Sequence, residues 1–365
     1  MSAPGEAVVD LGAIAANLRT IAAMARTPLM AVVKADGFGH CAVPVARAAV
    51  AAGATWLGTT SAAEALELRD AGLTTPILSW LHPVDEDFGR LIDTRVDISV
   101  SSLPHLHAVA AAARLRGTPA FVQLKADTGL SRNGAIGSDW PELTAWARKY
   151  EKDDGVRVRG VWSHLANADA HDDTAVAAQV DAFEEAVQAA RATGLDPRLL
   201  HLANSAAALH APRTRFDLCR IGIALYGFGP GLRPAMTLGS RVVNVKRVPA
   251  GTGISYGPDH VTARPTTLAL LPLGFADGLP RAAQGRAEVW LHGQRRPIAG
   301  RIAMDQCVID AGDLPVRIGD PVTVFGDEPA PTAADWARWA GTNPHEILTG
   351  IGARVGRILG KAANP

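Results

Sequence analysis

From residue 30 to about residue 230, short apolar runs alternate with longer Ala-rich stretches. The runs are MAVVK (30–34), WLGTT (56–60), PILSW (76–80), VDISV (96–100), AFVQLKAD (120–127), RGVWSHL (159–165), LLHLAN (199–204) and LCRIGI (218–223). Each has strand length, and the continuous apolar character suits a strand buried on both faces. Between them, 42–52, 61–71, 103–116, 140–152 and 174–193 repeat apolar residues near the helical period. Eight strand–helix units in about 200 residues predict a parallel (β/α)8 barrel of the TIM type over residues 1–232. An open doubly wound sheet is the alternative. Its Gly-rich first turn is matched only loosely by KADGFGH, and no acidic residue follows at the second strand end.

After Leu232 the rhythm changes. MTLGSRVVNVKRV, TTLALLPLGF, AEVWLHG, RPIAGRIAMDQCVID and PVTVFG are β-rich and broken by Gly, Pro and Asp. Residues 233–365 therefore read as a C-terminal, mostly-β domain, with helices only over 332–340 and 344–350. The first ten or so residues, including EAVVDL, hold a further strand candidate for that domain.

Composition narrows the function classes. The 365 residues carry 36 basic and 36 acidic side chains, so nucleic acid and acidic membrane surfaces are poor partners. Hydrophobic residues are 48% and charged residues 20%, which favours a packed core over disorder. No apolar run reaches membrane-spanning length, and the N-terminus lacks the basic-then-apolar pattern of a secretion signal. Cys41, Cys219 and Cys307 have neither metal-site nor disulfide-framework spacing, so a cytoplasmic, reduced protein is the simplest reading.

Polar residues at strand ends sit at a barrel's mouth, where active sites form. Lys34 follows AVV, and desolvation there lowers an amine's pKa and prepares it for Schiff-base formation; a snorkelling lysine is the plain alternative. Asn204, Ser205, Gly222 and Ile223 follow the seventh and eighth strands, where barrels build phosphate sites; an ordinary turn with an N-cap serine is the competing reading. Arg220 lies inside an apolar strand and requires a partner, either a carboxylate such as Asp217 or a cofactor's aromatic nitrogen. Lys125 and Arg132 bracket DTGLS and call for an anion, a covalent modification, or a pair with Asp127. His164 in SHLANAD and Tyr256 in GISYG are unremarkable singly.

Together, AVVKADGFGH, LKADTGLSRNG, WSHLANAD, HLANSAA, CRIGIALYG, GISYG, LLPLGFADG and GRIAMDQ, in this order, resemble the alanine racemase family. That resemblance implies pyridoxal 5'-phosphate bound covalently to Lys34, its phosphate held by Ser205, Gly222 and Ile223 with Asn204 nearby, and its pyridine nitrogen met by Arg220. It implies a carbamylated Lys125 beside Arg132, with Arg132 on the substrate carboxylate. A homodimer is implied, in which Tyr256, Met304 and Asp305 reach the partner's site and His164 links Tyr256 to Arg220. Racemisation needs a base on one face and an acid on the other, roles that fall to Lys34 and Tyr256. The activity implied is interconversion of L- and D-alanine, hence D-alanine supply. Arg220 at the ring nitrogen makes the cofactor a weaker electron sink and limits transamination.

Departures stand beside the match. Phe38, Phe275 and His345 occupy positions where this family usually carries tyrosine, and Ala303 one where Cys is common. Phe38 and His345 fall at positions expected near the phosphate and inner pocket, and each lost hydroxyl removes a hydrogen bond worth roughly 0.5–1.5 kcal/mol. These changes motivate the alternative of a racemase for another amino acid. A related two-domain decarboxylase is opposed by Arg220 and Tyr256, and a non-catalytic cofactor carrier by the β domain.

Overall fold

The computed structural model describes residues 4–168, 173–257 and 259–360. It divides into two units, one made of Ile14–Gly37 and Ala42–Leu232, the other of the N-terminal segment to Ala13, Phe38–Cys41 and the chain from Arg233 onward. Asp169 of WSHLANAD lies outside the described residues.

After strand β1 (Glu6–Asp10) and the helix Leu11–Ala25 come eight strands: β2 (Leu29–Val32), β3 (Trp56–Thr59), β4 (Ile77–Ser79), β5 (Asp97–Val100), β6 (Ala120–Lys125), β7 (Val156–Trp162), β8 (Leu199–His201) and β9 (Cys219–Ile221). They pair in parallel in the order β8-β7-β6-β5-β4-β3-β2-β9. The N–H of Asp217 donates to Leu200 O at 3.0 Å, and that of Arg220 to Ala203 O at 3.0 Å. Those two bonds draw the last strand towards the one before it, so the barrel is nearly closed.

Its interior packs Met30, Leu78, Trp162 and Leu218, with Trp56, Trp80 and Leu199 against them. Gly58 is required by that packing. A Cβ there would lie 2.7 Å from the Trp80 ring and 2.8 Å from the Met30 sulfur. On the outside, Ser61 and Glu64 form a capping box that starts the helix Ala62–Asp70. Gly117, with φ +63°, ends the helix Leu103–Arg116. The helix Phe88–Asp93, which the periodicity did not single out, fills the gap between β4 and β5.

Five strands stop two or more residues short of the apolar pattern. β2 ends at Val32 rather than residue 34, β6 at Lys125 rather than 127, β7 at Trp162 rather than 165, β8 at His201 rather than 204, and β9 at Ile221 rather than 223. Lys34 in particular opens a helix instead of closing a strand.

The second unit is a sheet of nine strands. Its members are β1 with β10 (Met236–Arg241), β11 (Asn244–Val248), β14 (Thr266–Leu271), β15 (Glu288–Leu291), β16 (Gln294–Ala299), β17 (Cys307–Gly312), β18 (Pro321–Phe325) and β19 (Gly356–Gly360). They run in the order β11-β14-β17-β16-β15-β18-β10-β1-β19, and β12 (Gly253–Ile254) and β13 (His260–Val261) form a separate hairpin. β1 pairs antiparallel with β10 and parallel with β19, so the N-terminal strand belongs to this sheet. The helix Ala333–Ala340 starts with a Thr332/Asp335 capping box and buries Trp336, whose Nε1 donates to Val324 O at 2.8 Å. Among the described residues, no helix is long and apolar enough to cross a membrane.

Candidate active site

The barrel mouth is shaped first by an unusual turn. Ala35, Asp36, Gly37, Phe38 and Gly39 all have positive φ, between +50° and +79°, so the helix Lys34–Gly39 is left-handed over most of its length. For a residue with a Cβ this costs roughly 1–2 kcal/mol, and left-handed residues normally occur singly. Local bonds hold the turn. Gly37 N donates to Val33 O, Ala35 N to Glu64 Oε1, and Ala42 N to Asp36 Oδ1, each at 2.8 Å. The other oxygen of Glu64 accepts from Thr60 N at 2.7 Å and from Ser61 N at 3.2 Å. One carboxylate thus ties the loop after β2 to the loop after β3. Strain of this kind collects at functional sites because it aims a side chain, and the one aimed here is Lys34.

Lys34 is partly buried, and its amine is held below the usual lysine range. Burial is the main cause, the Arg132 cation adds to it, and Glu64 opposes it. Lys125 is 4% exposed and is pushed down to about 7 by burial, then by Arg220 and Arg132. His164 is driven down to about 3 by burial and then by Arg220, Arg132, Lys125 and Lys34. The structure therefore brings Lys34, Lys125, Arg132, His164 and Arg220 together as a group of cations around a neutral imidazole. The pair between Lys125 and Asp127 anticipated as a plain alternative does not form. Asp127 Oδ1 instead accepts from Gly129 N at 2.9 Å and Ser131 N at 3.1 Å.

Arg220 is seated on oxygen and imidazole acceptors. Nη2 donates to Ser163 O at 2.8 Å, Leu202 O at 3.1 Å and His164 Nδ1 at 3.3 Å, and Nη1 donates to His201 O and His201 Nδ1, both at 3.1 Å. Asp217, the anticipated carboxylate partner, accepts from Leu200 N at 2.8 Å instead. Asn204, not Ser205, is the N-cap of the short helix Ser205–His210, taking Ala207 N at 3.0 Å. Ser205 Oγ accepts from Gly222 N at 3.0 Å and Ala224 N at 3.3 Å. With both lone pairs used, its own hydrogen is the one left to donate, as an anion site requires. Ile223 begins the 3-10 turn Ile223–Tyr226, and Tyr226 Oη anchors that turn by donating to Val32 O at 3.1 Å.

The remaining candidates lie on the β unit. Tyr256, Phe275 and Met304 are exposed, at 69%, 42% and 56%. Asp305 accepts from Arg354 Nη1 at 2.7 Å, and Arg354 Nε donates to the buried Asp277 at 2.9 Å. His345 opens the helix Pro344–Thr349 and lies 5.7 Å from Phe38, ring centre to ring centre. A cavity of about 310 Å³ next to Tyr256 is lined by Arg301, Ala303 and Cys307 among others.

Several site residues escaped the sequence reading. Glu64 was accessible, because SAAE has capping-box spacing. Trp162, His201 and Gln123 lie within strands and look like barrel filling until their partners are known.

The donor set fits a phosphorylated aldehyde. It offers a desolvated amine, a hydroxyl hydrogen left to donate, and a buried guanidinium, all on elements of one barrel. Fold and site together define a barrel-type pyridoxal-phosphate enzyme. Residues 9–230 match the family model for the alanine racemase N-terminal domain, and residues 235–359 match that for its C-terminal domain. The chain belongs to the alanine racemase family, isomerases that depend on pyridoxal phosphate. It is 49% identical to an alanine racemase of Frankia casuarinae, over 96% of this chain and 95% of the relative. For an alanine racemase of Thermobifida fusca the identity is 48%, over 98% of each. The crystal structure of alanine racemase from D-cycloserine-producing Streptomyces lavendulae superposes with a TM-score of 0.97 at 47% identity, over 100% of this chain and 98% of that one.

Proposed function

We propose that the chain interconverts L- and D-alanine as a homodimer in which Tyr256 of the partner subunit completes each site. The observation that carries this reading is the half-buried amine of Lys34, held below its usual pKa beside Arg132. Lowering the pKa of a lysine favours its neutral amine, the form that acts as nucleophile and then as proton carrier. Tyr256, Phe275 and Met304 are exposed on the β unit, where a partner subunit can reach them.

Lys34 would hold the cofactor covalently, the Ser205 hydroxyl and the Ile223 N–H would hold its phosphate with the Gly222 N–H orienting that hydroxyl, and Arg220 would meet its ring nitrogen. When bound, pyridoxal phosphate supplies an aldehyde for the substrate amine and a conjugated ring that withdraws electrons from the α-carbon. Arg132 orients the amino acid through its carboxylate, as a guanidinium fork does best. The Lys34 amine takes or returns the α-proton on one side. The Tyr256 phenol of the partner subunit does so on the other, with His164 between that phenol and Arg220. Two groups on opposite sides invert the centre, where a single group would only exchange its hydrogen. Arg220 stays protonated, so it donates to the ring nitrogen without giving up its proton. A reducing cytoplasm belongs to the same proposal, because Cys41, Cys219 and Cys307 stay as thiols.

Incubation of the protein with L-alanine in deuterated water tests the reading. Loss of the α-hydrogen together with growth of the D-enantiomer is expected. Release of carbon dioxide would mark a decarboxylase instead. The Phe38–His345 pair is the reason to run a panel of amino acids beside alanine, since neither ring offers a phenol hydroxyl. Faster turnover of a larger or polar amino acid would move the substrate assignment.

A further inference from the structure

We propose that Asp97 and Gln123 are positioning residues for Arg220, acting through His201 along a directed hydrogen-bond chain inside the barrel. The inference rests on the reading of Arg220 as the residue that meets the cofactor's ring nitrogen.

The chain is continuous. Arg220 Nη1 lies 3.1 Å from His201 Nδ1, His201 Nε2 lies 2.7 Å from Gln123 Oε1, and Gln123 Nε2 lies 2.9 Å from Asp97 Oδ2. The other Asp97 oxygen accepts from Arg159 Nη1 at 3.3 Å. Gln123 and His201 are 0% exposed, Asp97 1% and Arg220 4%, so water does not compete for these bonds.

Direction follows from donor chemistry. A guanidinium only donates, so His201 Nδ1 must carry no hydrogen. The neutral ring then holds its hydrogen on Nε2, which suits the carbonyl end of the Gln123 amide. That leaves the amide NH2 facing Asp97, and an ionised carboxylate only accepts. The two ends of the chain demand the same arrangement. Arg220 requires a bare Nδ1, and the charge on Asp97, by orienting Gln123, supplies the carbonyl that takes the Nε2 hydrogen and holds the ring facing one N–H of Arg220. Trp162 stacks on the His201 ring at 5.5 Å and 8°, which opposes rotation into another arrangement.

An acid is a costly residue to bury here. Burial pushes the Asp97 carboxyl up to about 6, although Arg159, Gln123 and Arg69 pull against it. An asparagine would fill the same space and still bond to Gln123. It would not specify direction, because its own amide donates as readily as it accepts. Direction is thus what the charge adds, and a role in packing alone would not need it.

The test uses 15N-histidine-labelled holoenzyme, with Asp97→Asn and the exchanged pair Asp97→Asn/Gln123→Glu. In the parent, the His201 ring is expected as the Nε2–H tautomer. In Asp97→Asn the Gln123 amide is free to turn, so the Nε2–H signal is expected to shift as that hydrogen loses its acceptor, with a shifted visible band of the bound cofactor. Turnover is expected to fall roughly tenfold, the scale on which outer hydrogen-bond partners act, with KM for alanine changed less than twofold. The exchanged pair returns an anion to the chain one residue nearer His201, so the parental Nε2–H signal and band are expected to return. An Nδ1–H tautomer in the parent overturns the proposal even if no variant folds. An unchanged Nε2–H signal and band in Asp97→Asn overturn it as well. A parent that takes up no cofactor overturns the reading of Arg220 instead, and the His201 tautomer in the cofactor-free chain shows that the two failures differ.

Discussion

The ammonium of Lys125 lies 4.3 Å from the centre of the Trp162 ring, at the end of one barrel strand and over the last residue of the next. The indole face takes the place of water on one side of the amine. Burial disfavours its charge most, and Arg220 and Arg132 stand near enough to add to that, so that it is pushed down to about 7.

A neutral amine among cations would suit carbon dioxide. The Lys125 nitrogen would attack the carbon, an N–C bond forming as one C=O π pair moves to oxygen, and the N–H proton would go to solvent. The resulting carbamate would be an anion that Arg132 and Arg220 favour. Only the neutral amine reacts, so its formation should rise as pH increases through about 7. With 13C-bicarbonate, a carbamate carbon resonance is expected at pH 8, reduced at pH 6, and absent in Lys125→Met. A lack of label at pH 8 would leave Lys125 as a plain buried cation.

The left-handed turn should be intolerant at Gly39. That residue has φ +79°, and a Cβ there would meet Leu348 O at 2.6 Å. Gly53 also has positive φ, +111°, but a Cβ there meets nothing within 4 Å. Gly39→Ala is expected to lose more than about 2 kcal/mol in urea unfolding, from backbone strain plus crowding, and Gly53→Ala only about 1 kcal/mol. Equal losses would mean that the Leu348 carbonyl does not set the requirement.

Tyr256→Phe keeps the ring and removes the acid. Cofactor uptake should be unchanged, and racemisation should fall by about a hundredfold or more, the usual worth of a placed proton carrier. Hydrogen exchange from one enantiomer should suffer more than from the other, because Lys34 still serves its own side. Collapse of cofactor uptake would show Tyr256 to be structural.

The sequence made much of this legible. Strand–helix alternation located the barrel strands, and the shift in rhythm after Leu232 located the later sheet. Lys34, Lys125, His164 and Arg220 stood out because each is polar where an apolar pattern ends or is interrupted. The turn after Lys34 was not legible as left-handed. Asp and Gly in KADGFGH favour positive φ at single residues, but a run of five also depends on Glu64, which takes Ala35 N from outside the local pattern. The chain behind Arg220 was hidden for a related reason. Asp97, Gln123 and His201 each lie on a different strand, and only the strand order β8-β7-β6-β5 and the curvature of the sheet make them neighbours.

The central claim is that the Lys34 amine is the point of covalent attachment for the cofactor. Borohydride reduction of the holoenzyme, followed by digestion and mass spectrometry, tests it most directly. The account predicts a single phosphopyridoxyl-bearing peptide, modified at Lys34, with loss of the visible band. A reduced adduct on Lys125 or any other lysine, or none at all, would contradict it.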